Sequence, residues 1–199
     1  MIVMIDYKAG NLRSVAKALE AAGASLRVTE DWRDVKAAEK VVLPGVGAFG
    51  KAVEELKNRD LFDPILERIG AGKPFLGICL GAQLLFEESE ENPDALGLAI
   101  FPGKCARFPA GLKVPHLGWN QVFQKTESPL WQDVPDGSYY YFAHSYYFQP
   151  KDKAAVAGET DYGLTYASAM WQDNVFGMQF HPEKSQKWGL KILENFVKL

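Results

Sequence analysis

The sequence of 199 residues is poor in cysteine, containing only Cys79 and Cys105. Neither belongs to a CxxC pair, and no histidines and cysteines share the spacing of zinc ligands. This scarcity excludes a disulfide framework and predicts reduced thiols, with no structural metal and no cofactor. Cys105 lacks flanking glycines and is interpreted as a structural residue.

Long hydrophobic runs and basic clusters are also missing. No stretch approaches the length of a membrane span, and the first apolar residues run into Asp6 without a signal-peptide pattern, so we expect a cytoplasmic protein. The net charge of -3 and the absence of a Lys/Arg-rich run argue against nucleic acid or an anionic membrane as the main partner. Without internal repeats or linkers, residues 1–199 are predicted to form one domain.

What the sequence does contain is a cysteine at a predicted strand-to-helix corner. Residues 75–78 are an apolar run that follows a Lys-Pro break, and Gly77 and Gly81 flank Cys79. Glycines at these positions permit a tight turn and expose the side chain between them, as in the GxSxG nucleophile elbow. Cys79 is therefore a candidate nucleophile, and the N–H of Leu80 is placed to bind an oxyanion. Taken alone, the motif also fits an ordinary buried cysteine.

A candidate base follows a second apolar strand far downstream. The segment from Val175 to Phe180 leads into His181, and Glu183 comes two residues later. Residues two apart at a strand end point to the same side, so Glu183 is placed to orient the imidazole of His181. Nucleophile, base and carboxylate together predict a catalytic triad, whereas His181 alone would fit a surface histidine.

The order of elements predicts an α/β fold. The first half alternates strands and helices, the second half is richer in strands, and a terminal helix closes the chain. We expect one domain with a central, mostly parallel mixed sheet, flanked by helices, and a nucleophile elbow at the carboxyl end of a central strand. The predicted strands cover residues 2–5, 25–28, 41–43, 75–78, 99–101, 121–123, 139–142, 154–159, 165–170 and 175–180. The predicted helices cover residues 12–22, 49–58, 62–69, 82–86 and 186–198.

Two glycine-rich segments favour competing interpretations. Residues 45–50 formally match GxGxxG, but they follow roughly the third strand, and no acidic residue that ends a next strand lies about 20 positions further on, as a dinucleotide site requires. Residues 70–74 lack the leading glycine and trailing Ser/Thr of a P-loop. Tight turns explain both segments. His144, near the end of an aromatic strand, is interpreted as a hydrogen-bonded strand histidine rather than a second base.

The segments GICLGAQ and FHPEKS resemble the nucleophile and base motifs of the class I, triad-type glutamine amidotransferases, and similar stretches run through the whole chain. The resemblance implies that glutamine is hydrolysed through a cysteinyl thioester at Cys79. It also implies a second oxyanion N–H on Val46 or Gly47, in a segment whose peptide reorientation switches the family between resting and active states. The residues implied in glutamine binding are Gly45, Gln83, Ser145 and Tyr146.

Further stretches, among them residues 6–14, resemble one branch of this family, the glutaminase subunits of imidazole glycerol phosphate synthase in histidine biosynthesis. The branch implies a heterodimer with a barrel-shaped cyclase subunit that receives the ammonia. The residues implied at that interface are Pro115, His116, Gly118, Trp119, Asn120, Tyr141 and Lys184. Lys8 and Ala9 depart from the usual first glycine loop, which affects details of partner contact. A glutaminase for another synthase, such as anthranilate synthase, and a non-catalytic regulatory partner are the alternatives.

Overall fold

A computed structural model of the chain describes residues 1–8 and 10–199. The departure noted at Ala9 lies outside the described residues. The helices are α1 (Leu12–Ala21), α2 (Trp32–Ala37), α3 (Phe49–Asn58), α4 (Phe62–Gly70), α5 (Leu80–Gln83) and α6 (Gln186–Lys198). The strands are β1 (Ile2–Ile5), β2 (Leu26–Thr29), β3 (Lys40–Leu43), β4 (Phe75–Ile78), β5 (Phe86–Ser89), β6 (Phe101–Arg107), β7 (His116–Gln124), β8 (Ser138–His144), β9 (Tyr146–Pro150), β10 (Val156–Asp161), β11 (Thr165–Gln172) and β12 (Val175–Met178).

The strands form one mixed sheet whose main path has the order β2-β1-β3-β4-β12-β11-β10-β7-β8. Pairing is parallel from β2 to β12 and antiparallel beyond it. A side branch of β9, β6 and β5 attaches to β11. The predicted α/β domain with a mixed sheet is confirmed, although the second half of the chain makes the sheet less parallel than expected.

The core is divided between the two faces of the sheet. Successive residues of a strand point to opposite faces, so Val3 packs into one cluster and Met4 into the other. Leu56 of α3 packs on the first face, and Ile192 of α6 packs on the second. Burial on both faces makes β4 and β12 continuously apolar and places the site between them in the middle of the sheet. No helix among the described residues is long and apolar enough to cross a membrane.

The predicted helix over residues 82–86 is wrong. Helix α5 ends at Gln83, and Phe86 begins strand β5. The carbonyl of Leu84 accepts the N–H of Leu98 at 2.7 Å, and that of Leu85 accepts the N–H of Ile100 at 2.8 Å. These carbonyls bind a distant segment instead of continuing the helix.

The segment from Pro115 to Asn120, which contains most of the residues implied at the partner interface and no predicted strand, is mainly strand. β7 starts at His116 and pairs along its length with β8, with Trp119 opposite Tyr141. The strand predicted over residues 99–101 instead starts at Phe101 and continues to Arg107. Helix α2 and the strands β5 and β9 were not predicted, because each is short and forms by packing on neighbouring elements.

Candidate active site

Cys79 sits at a sharp corner between β4 and α5. Its backbone adopts φ +53° and ψ -109°, a conformation that L residues rarely occupy. A Cβ on Gly77 would lie 2.7 Å from the carbonyl oxygen of Gly81, and a Cβ on Gly81 would overlap the carbonyl of Leu43. Both flanking glycines are therefore required by close backbone approach, as the elbow motif predicts.

Cys79 is buried and contacts the last residue of β12 and the residue that follows it. The Cys79 N–H donates to the carbonyl of Met178 at 2.7 Å, which ties the elbow to the neighbouring strand. The side-chain amide of Gln179 donates to Sγ at 3.8 Å. Gln179 directly follows β12, so the strand that leads to His181 also contacts the sulfur.

His181 and Glu183 are paired beside the thiol. His181 Nδ1 lies 2.8 Å from Glu183 Oε1, and because a carboxylate only accepts, Nδ1 carries the proton and Nε2 is left for Cys79. The same carboxylate oxygen accepts the Asn11 side-chain amide at 2.5 Å. Backbone contacts hold the histidine too: its N–H donates to Tyr141 O at 2.9 Å, and its carbonyl accepts the Ser185 hydroxyl at 2.6 Å.

The surroundings of His181 favour its charged form. Burial lowers the pKa of His181, but hydrogen bonds to Cys79 and Glu183, together with their charges, outweigh burial and raise the pKa to about 10. An imidazole with a raised pKa takes a proton from a neighbouring thiol readily. The geometry and the charge distribution therefore both suit a nucleophile and base pair.

The first expected oxyanion donor is bonded to a carbonyl that precedes the second. The Leu80 N–H, the donor predicted from the elbow, donates to the Gly45 carbonyl at 3.3 Å. Gly45 packs so closely on Tyr7 that a Cβ there would overlap the tyrosine hydroxyl. Gly47 has φ +116°, and Val46 between the two glycines is 39% exposed. In this structure the Leu80 N–H is thus hydrogen-bonded to the Gly45 carbonyl and is not available to an oxyanion.

A cavity of about 220 Å³ opens over the thiol. Its walls include Cys79, Gln83, Glu91, Ser145 and Tyr146, together with the two residues of the Val46-Gly47 segment. A carboxylate, an amide and backbone groups around an apolar floor suit a small polar ligand. Within residues 1–8 and 10–199, no group of three or more His, Cys, Asp or Glu could hold a metal ion.

Comparison with known proteins assigns the family. The family model described as "Glutamine amidotransferase class-I" matches residues 3–199. The chain belongs to the class I glutamine amidotransferases. It is 52% identical to the "Imidazole glycerol phosphate synthase subunit HisH" of Syntrophotalea carbinolica, over 98% of both chains. It is 51% identical to the subunit of the same name from Aquifex aeolicus, over 98% of this chain and 94% of the relative.

Solved structures agree on the fold of this amidotransferase. One described as "glutamine amidotransferase" matches with a TM-score of 0.79 at 16% identity, covering 100% of both chains. At that identity the likeness shows the fold alone. The near relatives confirm the predicted branch, the glutaminase subunits of imidazole glycerol phosphate synthase.

The structure separates the expected partner residues of this amidotransferase into two groups. Trp119 and Tyr141 meet edge to face with centroids 6.1 Å apart, and Lys184 Nζ lies 5.6 Å from the Tyr141 ring. Pro115 is exposed, and Gly118 and Asn120 are partly exposed in β7. His116, in contrast, is 3% exposed, so its side chain lies inside the protein and not on the surface.

Sequence reasoning missed three residues around the amidotransferase site. Asn11 lies in a stretch that resembles the family but has no role predicted from sequence, although it follows β1, whose carboxyl end meets the same sheet edge as that of β4. Gln179 directly precedes the predicted base strand's final residue and contacts the sulfur. Glu91 lines the cavity, but in the sequence it is only an acidic residue within a turn-rich stretch, which does not indicate a role in a site.

Proposed function

We propose that this chain is the glutaminase subunit of an imidazole glycerol phosphate synthase, and that Cys79, His181 and Glu183 form its catalytic triad. The observation that carries the proposal is a cysteine on a strained elbow, beside a histidine held by a carboxylate, at the floor of a cavity that fits one small amino acid. The relatives named above support the choice of synthase.

The reaction follows from these positions. The side-chain amide of glutamine lies over Cys79, Nε2 of His181 takes the thiol proton, and the thiolate attacks the amide carbon to form a tetrahedral adduct. His181 then protonates the departing ammonia and leaves a thioester. Water activated by the same imidazole hydrolyses the thioester to glutamate, which restores the thiol.

The oxyanion of each tetrahedral adduct is held by backbone N–H groups. Leu80 supplies one, and Val46 or Gly47 supplies the other. The Gly45 carbonyl must leave the Leu80 N–H first, so we assign the described arrangement to a resting state. Each donor that is gained contributes about 2.7 to 4 kcal/mol to lowering the barrier. The flanking glycines allow the Val46 peptide to turn at little steric cost.

Groups along the cavity wall bind the rest of the glutamine. The Glu91 carboxylate suits the α-ammonium group, and backbone groups of Ser145, Tyr146 and Gly45 suit the amino-acid end. Glu91 already accepts the N–H of Phe49 at 2.8 Å, which fixes its direction at the start of α3. Gln83, which also lines the cavity, orients the substrate.

The ammonia passes to a cyclase subunit, with which this chain forms a heterodimer in the cytoplasm. The surface of Trp119, Tyr141 and Lys184 is proposed as the contact centre, with Pro115, Gly118 and Asn120 beside it. Aromatic anchors of this kind dominate protein interfaces. The Tyr141 carbonyl also accepts the N–H of His181, so one backbone hydrogen bond links the proposed partner surface to the triad.

The test measures glutamate release from glutamine by this chain alone, then with a cyclase subunit, then with the cyclase and its ribonucleotide ligand. We expect a weak basal rate that rises strongly only with the liganded cyclase. A high rate of glutamate release that does not change when the cyclase is added would support the proposed triad but contradict the proposed synthase. No release under any condition would favour a regulatory scaffold.

Cys79→Ala identifies the nucleophile within the same assay. It should abolish glutamine hydrolysis while ammonia-dependent synthesis by the complex persists. Cys105→Ala is the matched control, because this second buried thiol lies outside the cavity and should leave hydrolysis in place. Hydrolysis retained by Cys79→Ala would refute the assignment.

A further inference from the structure

A cluster of buried polar rings borders the cavity over Cys79, outside the triad, and one of its members, His144, lines that cavity. His116 of β7, His144 at the end of β8 and Tyr166 of β11 are each at most 5% exposed. His116 Nδ1 lies 3.2 Å from His144 Nε2 and 3.1 Å from the Tyr166 hydroxyl, which is itself 3.2 Å from His144 Nε2. The ring of Phe142 stacks on His116 with centroids 4.7 Å apart and shields the cluster from water.

The partners of the two imidazoles fix where their protons are. His144 Nδ1 lies 2.8 Å from the carbonyl of Tyr146, and because a carbonyl only accepts, Nδ1 carries the proton and Nε2 accepts. At the other end, the Asn120 amide nitrogen lies 3.4 Å from His116 Nε2, and the same amide nitrogen donates to the Asp161 carbonyl at 2.8 Å. His116 Nε2 therefore accepts, and its proton is on Nδ1, facing His144.

Both rings are consequently neutral, and the donors all point the same way, from His116 to His144 and from His144 to the Tyr146 carbonyl. A proton added to His144 Nε2 would face the N–H of His116. Burial lowers the pKa of His144, which the Tyr146 carbonyl partly offsets and the neighbouring His116 and His181 reinforce, to about 3. Burial likewise lowers the pKa of His116 to about 4. The expectation that His144 is a hydrogen-bonded histidine agrees with these contacts.

The chain of hydrogen bonds continues from Tyr146 to the nucleophile. The Tyr146 carbonyl accepts a second donor, the Gln83 side-chain amide, at 3.1 Å. The same amide nitrogen donates to Gln179 Oε1 at 3.1 Å, and Gln179 donates in turn to Cys79 Sγ at 3.8 Å. Both hydrogens of the Gln83 amide are thus used within the protein, so the atom that Gln83 offers to a ligand is its oxygen, Oε1.

We propose that His144 is a positioning residue for glutamine hydrolysis, which holds the Tyr146 carbonyl and thereby fixes the Gln83 amide with Oε1 toward the cavity. Tyr166 and His116 act behind it, because they satisfy His144 Nε2 and keep the Nδ1 proton directed at Tyr146. Gln83 then presents an acceptor to the substrate's N–H groups. The inference rests on the proposed glutaminase function, and it assigns no proton transfer to His144.

The experiment compares two replacements of His144 in the complex with the cyclase subunit. Asn places an amide N–H close to the position of Nδ1 and preserves the bond to Tyr146, whereas Leu removes it. His144→Leu should raise KM for glutamine about 3- to 10-fold, the usual range for one lost hydrogen bond, with a smaller change in kcat. His144→Asn should restore KM, and ammonia-dependent synthesis should be unchanged in both.

A double-mutant cycle with Gln83→Ala tests that His144 acts through Gln83. In the Gln83→Ala background, His144→Leu should raise KM no further, because the amide that it positions is already gone. Fully additive increases in KM would overturn the proposal, since they would indicate a general packing defect. Equal KM values for wild type and His144→Leu would also overturn it, while leaving the glutaminase function intact.

Two further measurements guard against a misfolded variant. Tyr166→Phe keeps the ring and removes only the hydroxyl, so it should raise KM in the same direction by a smaller factor. Nitrogen-15 NMR of the wild-type imidazoles should show that His144 is protonated at Nδ1 and unprotonated at Nε2. The opposite tautomer would refute the inference whatever the kinetics. Absence of glutamine hydrolysis by the wild-type complex would instead refute the proposed function, and this inference with it.

Discussion

At the scale of single residues, the site depends on side chains held from two sides. Cys79 keeps an unfavourable φ because its N–H binds Met178 and its glycine neighbours admit close backbone contact. Such strained residues cost roughly 1–3 kcal/mol and persist where the surroundings over-determine them. Glu183 is similarly fixed, since one oxygen accepts from both His181 and Asn11. Its other oxygen is buried without a hydrogen-bond partner among the residues that the structure describes.

Asn11 provides the test of this positioning. Asn11→Ala removes the amide that binds Glu183 Oε1, so the carboxylate loses one of its two side-chain contacts. We expect kcat for glutamine hydrolysis to fall about 10-fold or more, because hydrogen bonds to charged groups contribute about 1.5–3 kcal/mol. KM should change little, since Asn11 does not line the cavity. Steady-state kinetics of the complex measure both constants.

The control for Asn11 is Arg13→Ala, close by in the same loop-to-helix segment. Arg13 is exposed, so its truncation should leave both constants within about 2-fold. A wild-type kcat for Asn11→Ala would show that His181 alone orients Glu183. If Arg13→Ala lowers kcat by as much as Asn11→Ala does, disturbed contact with the partner would explain both changes instead.

At the scale of elements, the elbow is a packing solution between α5 and its neighbours. Helix α5 has a single turn, so it offers the Leu80 N–H but little macrodipole to favour the thiolate. The charged partner that the structure places beside Cys79 is His181, whose pKa is raised by its contacts with Cys79 and Glu183.

Gly81→Ala tests the close approach of α5 to β3. The new methyl group would overlap the Leu43 carbonyl, which cannot move without disturbing the sheet. We expect the free energy of unfolding to fall by about 2 kcal/mol or more, the range for overpacking a core. Urea denaturation of the isolated chain gives this value.

Gly70→Ala is the matched control at the end of α4. No atom of the residues that the structure describes lies within 4 Å of the position that a methyl group on Gly70 would occupy, and the φ of Gly70 is not positive. The substitution should leave stability unchanged or raise it by up to about 1 kcal/mol, because alanine favours the helix. Equal effects of the two substitutions would show that α5 can shift away from β3.

At the scale of the whole molecule, the mixed sheet brings the two halves of the chain together at one edge. The parallel half contributes Asn11, Gly45 and Cys79 at the carboxyl ends of β1, β3 and β4. The base enters on β12, which pairs parallel with β4 in register through Met178 and Ile78. The antiparallel half then builds the far wall of the cavity and the Trp119-Tyr141 surface. Neither half contains the site alone.

Stability should depend on pH in opposite directions on the two sides of the neutral range. The folded pKa of His181, about 10, exceeds its ordinary value of 6.5, so its stabilising contribution is complete below pH 6.5 and is lost as pH rises toward 10. The folded pKa values of His116 and His144, about 4 and about 3, lie below 6.5. Their contribution is present above pH 6.5 and is lost as pH falls.

Urea midpoints from about pH 4 to about pH 9 measure both slopes. Cys79→Ala should flatten the alkaline slope, because Cys79 is one of the two groups that raise the His181 pKa. His144→Asn should flatten part of the acidic slope and leave the alkaline one. An alkaline slope unchanged in Cys79→Ala would mean that Glu183 alone stabilises the imidazolium.

The sequence by itself determined the parts that depend on local pattern. Residues 2–5, 49–58, 75–78 and 186–198 were predicted with both ends correct, because apolar periodicity and flanking Gly or Pro specify such elements locally. The elbow was likewise predictable, since glycines two residues before and after a cysteine permit a tight turn whatever the rest of the fold. The pairing of His181 with Glu183 followed from their spacing alone.

Only the tertiary structure decided which distant groups share a hydrogen bond. Asn11 and Glu183 are 172 positions apart, and the local sequence around neither residue predicts the contact. The same holds for the carbonyls that end α5 early, for the pairing that makes residues 116–120 a strand, and for the Gly45 carbonyl on the Leu80 N–H. The physical reason is common to all of them: a buried polar group must be satisfied by whatever the fold places beside it.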